Sequence, residues 1–192
     1  MAHVQADQNR ASVEDDDALM ARVAVRDTAA FRILIDRHAV LPHRIAWRML
    51  GDPVEAEDVA QESMVRLWQF GERWQAGGPG VAAWLTRVTT NLCLDRLRRK
   101  RFSSDEAVPE RIDDAPLADA GIEAEQQRAA VARAIAALPE RQRAAIILTY
   151  YEEMPNLNAA EILEMNIKAF ESLLLRARAA LKAGLAGGGQ YG

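Results

Sequence analysis

Apolar residues recur at the three- and four-residue spacing of an α helix along almost the whole chain, and this periodicity constrains the fold more than any other feature. No segment has the alternation and length of a convincing strand. We therefore predict an all-α protein. Its 192 residues are enough for one medium-sized or two small domains, and a hydrophobic content of 49% is enough to form cores.

Capping residues mark several helix boundaries. Asp52 is a predicted N-cap, with Pro53 at the first helical position and Glu55 completing a capping-box pattern. A preceding helix carries Phe31 to Met49, and we expect Pro42 to kink or divide it. A first helix is predicted to start near Asp15–Asp17, and the helix capped by Asp52 to run to about Phe70. Five more helices are predicted, at 81–101, at 123–138, from Pro139 onwards, at 156–164 and at 168–184.

Charge is unevenly distributed along the chain. The net charge is -4, yet residues 84–101 carry six cations against one acid, whereas residues 102–126 carry eight acids against one cation. Salt screens surface charges beyond about 10 Å, so these local blocks matter more than the total. With its serines and prolines, the acidic segment is predicted to be a flexible linker. We divide the chain into a disordered N-terminus (1–14), a first helical domain (15–101), the linker (102–122), a second helical domain (123–184) and a flexible tail (185–192).

The basic helix 84–101 is the strongest functional signal. Trp84, Leu85, Val88 and Leu92 are spaced to face a core, and Arg87, Asn91, Asp95 and Arg98 fall on a separate stripe. Cations at a helix C-terminus are favoured by the helix dipole, so a solvated helix end is one interpretation. Neutralisation of nucleic-acid phosphates is the other. The glycine-rich loop 74–80, with Trp74, favours the second, because unpaired bases are held by stacking and polar contacts.

Residues 139–182 predict a helix-turn-helix, with its turn near Met165–Asn166. Lys168, Ser172, Arg176 and Arg178 are placed to reach phosphates or base edges. Many helical hairpins share this pattern without binding DNA. The acidic stretch 55–62 is either a solvated helix face or a surface that docks on a basic protein partner.

Other classes of function find little support in the sequence. The single cysteine, Cys93, and the three histidines lack metal-ligand spacing, and no Gly-Lys-Ser/Thr follows the GGPG stretch. We expect no metal, no cofactor and no enzymatic activity. The polar N-terminus and the lack of a long apolar run predict a cytoplasmic protein without direct membrane contact.

Taken in order, the segments AAFRILIDRH, LGDPVEAEDVAQES, WLTRVTTNLCLDRLRR, ALPERQRAAIIL and ESLLLRARAAL resemble the ECF (extracytoplasmic-function) sigma factors of bacterial RNA polymerase. The resemblance covers about 16–181. It implies two helical domains, sigma2 for the promoter -10 element and sigma4 for the -35 element. It also implies three partners, namely core RNA polymerase through its β′ clamp helices and β flap, promoter DNA and an anti-sigma factor.

Site residues follow from the same resemblance. The loop 74–80 matches the segment that captures a flipped base, and Asn91 matches a position that contacts this base. The implied -10 residues are Trp74, Gln75, Trp84, Arg87, Asn91, Arg98, Arg99 and Arg101. The implied -35 residues are Lys168, Glu171, Ser172, Arg176 and Arg178. The residues implied to dock on the β′ clamp helices are Asp58, Gln61 and Glu62.

This chain departs from the family pattern at the helix-turn-helix. Glu164 replaces a common glycine, and Glu171 and Leu173 stand where basic residues are usual. Two fewer cations predict weaker phosphate contact. Two alternatives remain at this point, a sigma-like decoy that titrates an anti-sigma factor and a conventional helix-turn-helix regulator that binds duplex DNA without polymerase.

Overall fold

The structure, a computed structural model, describes residues 14–103 and 122–187. The described residues contain helices and no strand, so the predicted all-α fold is confirmed. The N-terminal helices are α1 (Asp16–Ala24), α2 (Thr28–His38), α3 (Val40–Leu50), α4 (Pro53–Phe70) and α5 (Gly80–Ser103), with a 3₁₀ turn at Gly71–Arg73. The C-terminal helices are α6 (Ile122–Ala136), α7 (Glu140–Ile146), which continues into a π-helical turn (Ile147–Tyr151), α8 (Asn156–Ile162) and α9 (Ile167–Gly187).

Asp52 is confirmed as the N-cap of α4, whereas the carboxylate of Glu55, which was predicted to complete a capping box, lies 2.6 Å from the Lys100 ammonium. The Asp52 side chain accepts a hydrogen bond from the Glu55 amide at 2.9 Å, and Pro53 occupies the first turn. Gly51, at φ +70°, ends α3 in the left-handed conformation that glycine adopts most easily. The helix predicted around Pro42 is divided, but at Ala39. Pro42 itself lies in the first turn of α3, where its missing N–H is not needed.

Three predicted segments lie largely outside the described residues. They are the linker 102–122, the N-terminus 1–14 and the end of the tail 185–192. At the edges, Ser103 still belongs to α5, Ile122 already belongs to α6, and α9 continues to Gly187. The division into domains therefore stays a prediction.

Two apolar clusters hold the helices together. One joins α1 and α2 to the later part of α4 and the start of α5, through residues such as Leu19, Leu34 and Leu67. The other joins α3 and the later part of α5 to the C-terminal helices, and includes Met49, Leu92 and Phe170. The apolar core is thus continuous between helices that lie on either side of the linker.

The helix-turn-helix has a small apolar core. Ala159, Ala160, Ile162 and Leu163 are buried, as are Phe170 and Leu174, while Ile167 is half-buried. Leu173 is only 7% exposed and belongs to the same core. Its side chain is therefore part of the packing and does not occupy an open site for a cation.

Candidate nucleic-acid interface

Helix α5 separates a buried face from a polar stripe. Leu85 and Leu92 are buried, whereas Arg87 is exposed and Asn91 is half-buried. Trp84 is also half-buried, in keeping with its place at the edge of the core. The stripe continues to Arg98, whose guanidinium lies 3.5 Å from Asp95 one turn earlier. The structure therefore brings cations and one amide onto a single accessible face of α5.

The basic end of α5 divides into two groups. Arg96 and Lys100 turn towards α4, where the ammonium of Lys100 lies 2.6 Å from Glu55. Arg98, Arg99, Lys100 and Arg101 are all exposed, and Arg101 lies 3.5 Å from Glu140 at the start of α7. The cluster therefore combines accessible cations with ion pairs to α4 and α7.

An aromatic cluster lies beside the loop 74–80. The ring of Trp84 stacks on Phe70 with centroids 5.2 Å apart, and Trp74 meets the same phenyl ring edge-on at 6.4 Å. Gln75, in the loop, is exposed. Such rings at the surface offer flat apolar faces of the kind on which bases stack.

The acidic face of α4 is already partnered within the molecule. Arg96 lies 3.9 Å from Asp58 and 3.7 Å from Glu62, and Glu62 also accepts a 2.6 Å hydrogen bond from Arg66. Gln61 is exposed and donates to Glu57. The side chain of Asp58 remains 60% exposed, so the face combines accessible carboxylates with a fixed geometry.

The helix-turn-helix consists of α8, a turn at 163–166 and α9. Asn166 caps α9 by accepting a hydrogen bond from the Ala169 amide at 2.9 Å. Three of the predicted -35 residues, Lys168, Ser172 and Arg176, are exposed at four-residue spacing and thus share one face; Ser172 donates to the Lys168 carbonyl at 2.9 Å. Glu171 is also exposed.

Arg178 lies on another face of α9. Two residues after Arg176, it points in a nearly opposite direction on an α helix. It borders an apolar groove of about 790 Å³. The groove lies between α6, α9 and the α7 segment, by which we mean α7 with the π-helical turn that continues it. The groove lining includes Val131, Ile135, Ile146, Leu175, Leu181 and Lys182.

The polar stripe of α5 lies beside the turn of the helix-turn-helix. Arg87, on the α5 stripe, lies 4.0 Å from Glu164 in the turn of the helix-turn-helix. Glu164 has a φ of +52°, an unfavourable conformation for a residue other than glycine. Both side chains are more than half exposed, so this pair is weak on its own.

Three further residues were not identified from the sequence. Asp17 holds the loop 74–80, Glu152 joins the C-terminal helices to α3, and Arg143 donates a 2.6 Å hydrogen bond to the Met49 carbonyl. Burial lowers the pKa of Arg143, and the Glu140 carboxylate partly opposes this effect. Their partners are remote in sequence, so no local pattern reveals them.

In the part of the chain that the structure describes, no three His, Cys, Asp or Glu side chains form a group that could hold a metal ion. No helix of that part is long and apolar enough to cross a membrane.

Comparisons with known proteins define the family. The Sigma-70 region 2 family matches residues 34–103, and the Sigma-70 region 4 family matches residues 128–181. The ECF RNA polymerase sigma factor SigL of Mycobacterium tuberculosis (strain H37Rv) is 36% identical over 141 residues, which cover 69% of this chain and 77% of SigL. SigE of Mycolicibacterium smegmatis is 31% identical over 153 residues, which cover 78% of this chain and 59% of SigE. The chain belongs to the ECF RNA polymerase sigma factors, a family of transcription initiation factors.

Two solved structures have a similar fold. CnrH, determined in complex with the cytosolic domain of CnrY, is 27% identical with a TM-score of 0.65, and the match covers 90% of this chain and 97% of CnrH. RpoE of Bartonella quintana, determined with the anti-sigma factor NepR, is 23% identical with a TM-score of 0.67, over 81% of this chain and 96% of RpoE. The second likeness concerns the fold alone.

Proposed function

We propose that this chain binds core RNA polymerase in the cytoplasm and directs promoter-specific initiation without catalysing a reaction itself. Its N-terminal helices melt and read the -10 element, and its C-terminal helices read the -35 element. The observation that carries this proposal is the cluster of Trp74, Phe70 and Trp84, whose last member lies on α5 one turn before the stripe that begins at Arg87 and Asn91. Stacking surfaces, an amide and cations are together what the capture of an unpaired base requires.

The energetics of strand capture are consistent with these side chains. Flipping a base out of the duplex costs a few kcal/mol. Stacking on an aromatic ring returns about 1–3 kcal/mol per base. Each phosphate neutralised by Arg98, Arg99 or Arg101 increases the slope of log affinity against log salt by about 0.9. Asn91 supplies the polar group that can distinguish one base edge from another.

Docking on polymerase is assigned to the acidic face of α4, formed by Asp58, Gln61 and Glu62, with the β′ clamp helices as its partner. Arg96 holds two of these carboxylates in place before binding, which lowers the ordering entropy of association. The carboxylates complement a basic partner surface.

The closed arrangement of the helices must open for this function. Arg87 and Glu164 are 4.0 Å apart, whereas elements centred at -10 and -35 are separated by about 25 base-pair steps, or ~85 Å at 3.4 Å per step. One duplex cannot reach both surfaces at these distances. We infer that the C-terminal helices leave α3 and α5 when polymerase binds.

The apolar groove of α6, the α7 segment and α9 is assigned to the β flap of polymerase. Its apolar floor suits the face of a partner helix, and Arg178 and Lys182 at its edge suit acidic flanking residues. An anti-sigma factor controls the protein by competing for the polymerase-binding surfaces. CnrH, which has a similar fold, forms a complex with the cytosolic domain of CnrY, and this supports a protein partner for such a fold.

Transcription with core polymerase on a genomic promoter library tests the proposal. Asn91→Ala should reduce transcription and relax selectivity at one -10 position, while binding to core polymerase is unchanged. Gln69→Ala, an exposed position on α4, is the matched control. Unchanged selectivity of Asn91→Ala would overturn the role of Asn91. A decoy would give no transcript with core polymerase, and a conventional regulator would shift duplex DNA without it.

Glu62→Lys tests the docking surface. The reversed charge should weaken competition for core polymerase, because it repels both a basic partner and Arg96. Asp58→Asn, which changes a more exposed carboxylate with less effect on internal pairs, should weaken binding in the same direction. If both variants compete for core polymerase as well as the wild type does, the acidic face of α4 is not the docking surface.

A further inference from the structure

Asp17, in the first turn of α1, reaches across to the loop 74–80. Its Oδ1 accepts a 2.8 Å hydrogen bond from the Trp74 indole N–H, and its Oδ2 accepts a 2.9 Å hydrogen bond from the Gly77 amide. The two donors are 57 and 60 residues away in sequence. One carboxylate therefore uses both of its oxygens on a single distant loop.

The two donors flank the tip of the loop. Gln75 and Ala76 lie between them and are exposed. Gly77 has a φ of +77°, so the backbone turns immediately after the tip in a conformation that favours glycine. Asp17 thus holds both ends of a two-residue segment that would otherwise be free to sample many conformations.

The orientation of Trp74 depends on the same carboxylate. The indole is half-buried against the cluster that contains Leu19 and Val23 of α1, and it meets Phe70 edge-on at 6.4 Å. With its N–H directed to Asp17, the ring has one favoured orientation. Helix α1 also lies close to the start of the loop, since a Cβ on Gly71 would come within 2.8 Å of Val23 Cγ1.

We propose that Asp17 is a positioning residue for capture of the unpaired -10 base, because it presets the ring of Trp74 and the Gln75–Ala76 tip. This inference rests on the proposed function of the loop. A preset loop loses less conformational entropy when the base binds, and the complex gains the difference as affinity. Both hydrogen bonds to the carboxylate are charge-assisted, so they hold the loop more firmly than hydrogen bonds between neutral groups would.

The same two hydrogen bonds stabilise the ionised form of Asp17. The Gly77 amide and, second, the Trp74 indole hold the pKa of Asp17 below its ordinary value. An amide side chain has only one acceptor oxygen and cannot satisfy both donors. Asp17→Asn is therefore a nearly isosteric change that removes one contact and the charge.

The test compares Asp17→Asn with Asp15→Asn on a promoter selected by the wild-type protein. Asp15 caps α1 by accepting from the Ala18 amide, and asparagine caps equally well, so this control makes the same charge change without touching the loop. Three quantities are measured. They are competition for core polymerase, the rate of strand opening reported by 2-aminopurine beside the captured base, and hydrogen exchange of the Gly77 amide.

For Asp17→Asn we expect unchanged competition for core polymerase, faster exchange at Gly77 and strand opening slowed about tenfold, the factor expected for loss of one charge-assisted hydrogen bond. Asp15→Asn should match the wild type. Trp74→Phe retains a ring but lacks the indole N–H, and we expect it to slow strand opening as well. This variant replaces Asp17→Asn in the test if Asp17→Asn is too unstable to assay. Faster exchange at Gly77 with wild-type opening and base preference would overturn the inference.

A second pair of variants separates this inference from the proposed function. Gln75→Ala and Asn91→Ala change groups that are proposed to contact the base directly. Altered base preference in these two variants, with wild-type strand opening in Asp17→Asn, would overturn the role of Asp17 alone. Wild-type base preference in both Gln75→Ala and Asn91→Ala would overturn the capture function of the loop, and the role of Asp17 with it.

Discussion

Arg44 of α3 and Glu152, which follows the π-helical turn, form a two-pronged ion pair across 108 residues of sequence. The guanidinium Nε donates to Oε1 at 3.1 Å, and Nη2 donates to Oε2 at 2.5 Å. The Glu152 side chain is only 5% exposed. Arg48 completes the contact, since its guanidinium lies 3.8 Å from Glu152 and 4.6 Å from the centroid of the Tyr151 ring. This cluster is the main charged contact between α3 and the C-terminal helices in the described residues.

Glu152→Gln should loosen the closed arrangement. The amide keeps the size of the side chain but leaves Arg44 and Arg48 without their carboxylate, at a cost of about 2 kcal/mol. We expect a lower melting temperature and a larger radius of gyration by small-angle X-ray scattering. Glu153→Gln changes an exposed neighbour and serves as control. Equal effects of the two substitutions would show that the ion pair does not hold the helices together.

Leu173→Arg should destabilise the protein although it restores a cation usual in the family. Leu173 is 7% exposed, and burying a guanidinium there without a partner costs about 2–4 kcal/mol of unfolding free energy. Leu175→Arg, at a position 67% exposed on the same helix, should change stability by less than about 0.5 kcal/mol. Urea unfolding measures both. Equal stability of the two variants would place Leu173 at the surface.

Glu171→Lys restores the other family cation, at an exposed position. It should leave stability unchanged and increase the salt slope of -35 binding by about 0.9 if the new ammonium meets a phosphate. Binding of labelled -35 duplex by polymerase holoenzyme at several salt concentrations measures this slope. An unchanged slope would place position 171 away from the DNA backbone.

Glu164→Gly should stabilise the protein. A residue other than glycine at φ +52° carries about 1–2 kcal/mol of strain, and glycine removes it at a smaller entropic cost. We expect a rise in melting temperature of about 3 °C. Glu161→Gly, in the regular helix α8, should instead lower stability by about 1 kcal/mol. Loss of stability in both variants would contradict the left-handed conformation of Glu164.

Cys93 should resist thiol reagents in the native protein. Burial raises the pKa of its thiol to about 12; Arg96 opposes this shift and Glu55 adds to it. The thiolate is therefore scarce at mildly alkaline pH, and the buried sulfur is inaccessible. Reaction with a chromogenic disulfide should be slow until guanidinium unfolds the chain. Rapid stoichiometric labelling of the native protein would contradict this packing.

Local structure could be predicted from the sequence because caps and turns join residues only a few positions apart. Asp52 and Pro53 start α4, and Gly51 ends α3, as the order of residue types indicates. The π-helical turn at Ile147–Tyr151 escaped prediction, since one extra residue in a turn barely alters apolar spacing. Glu152 follows that turn, and its partner Arg44 is too remote in sequence to be predicted from local patterns.

The sequence by itself determined the helices, the stripe of Arg87 and Asn91 on α5 and the helix-turn-helix, since each follows from periodicity within one segment. Tertiary structure alone decided that Asp17 holds the loop 74–80, that Leu173 is buried, and that Arg87 lies beside Glu164. The physical reason is that packing unites side chains whose separation along the chain carries no information on their distance in space.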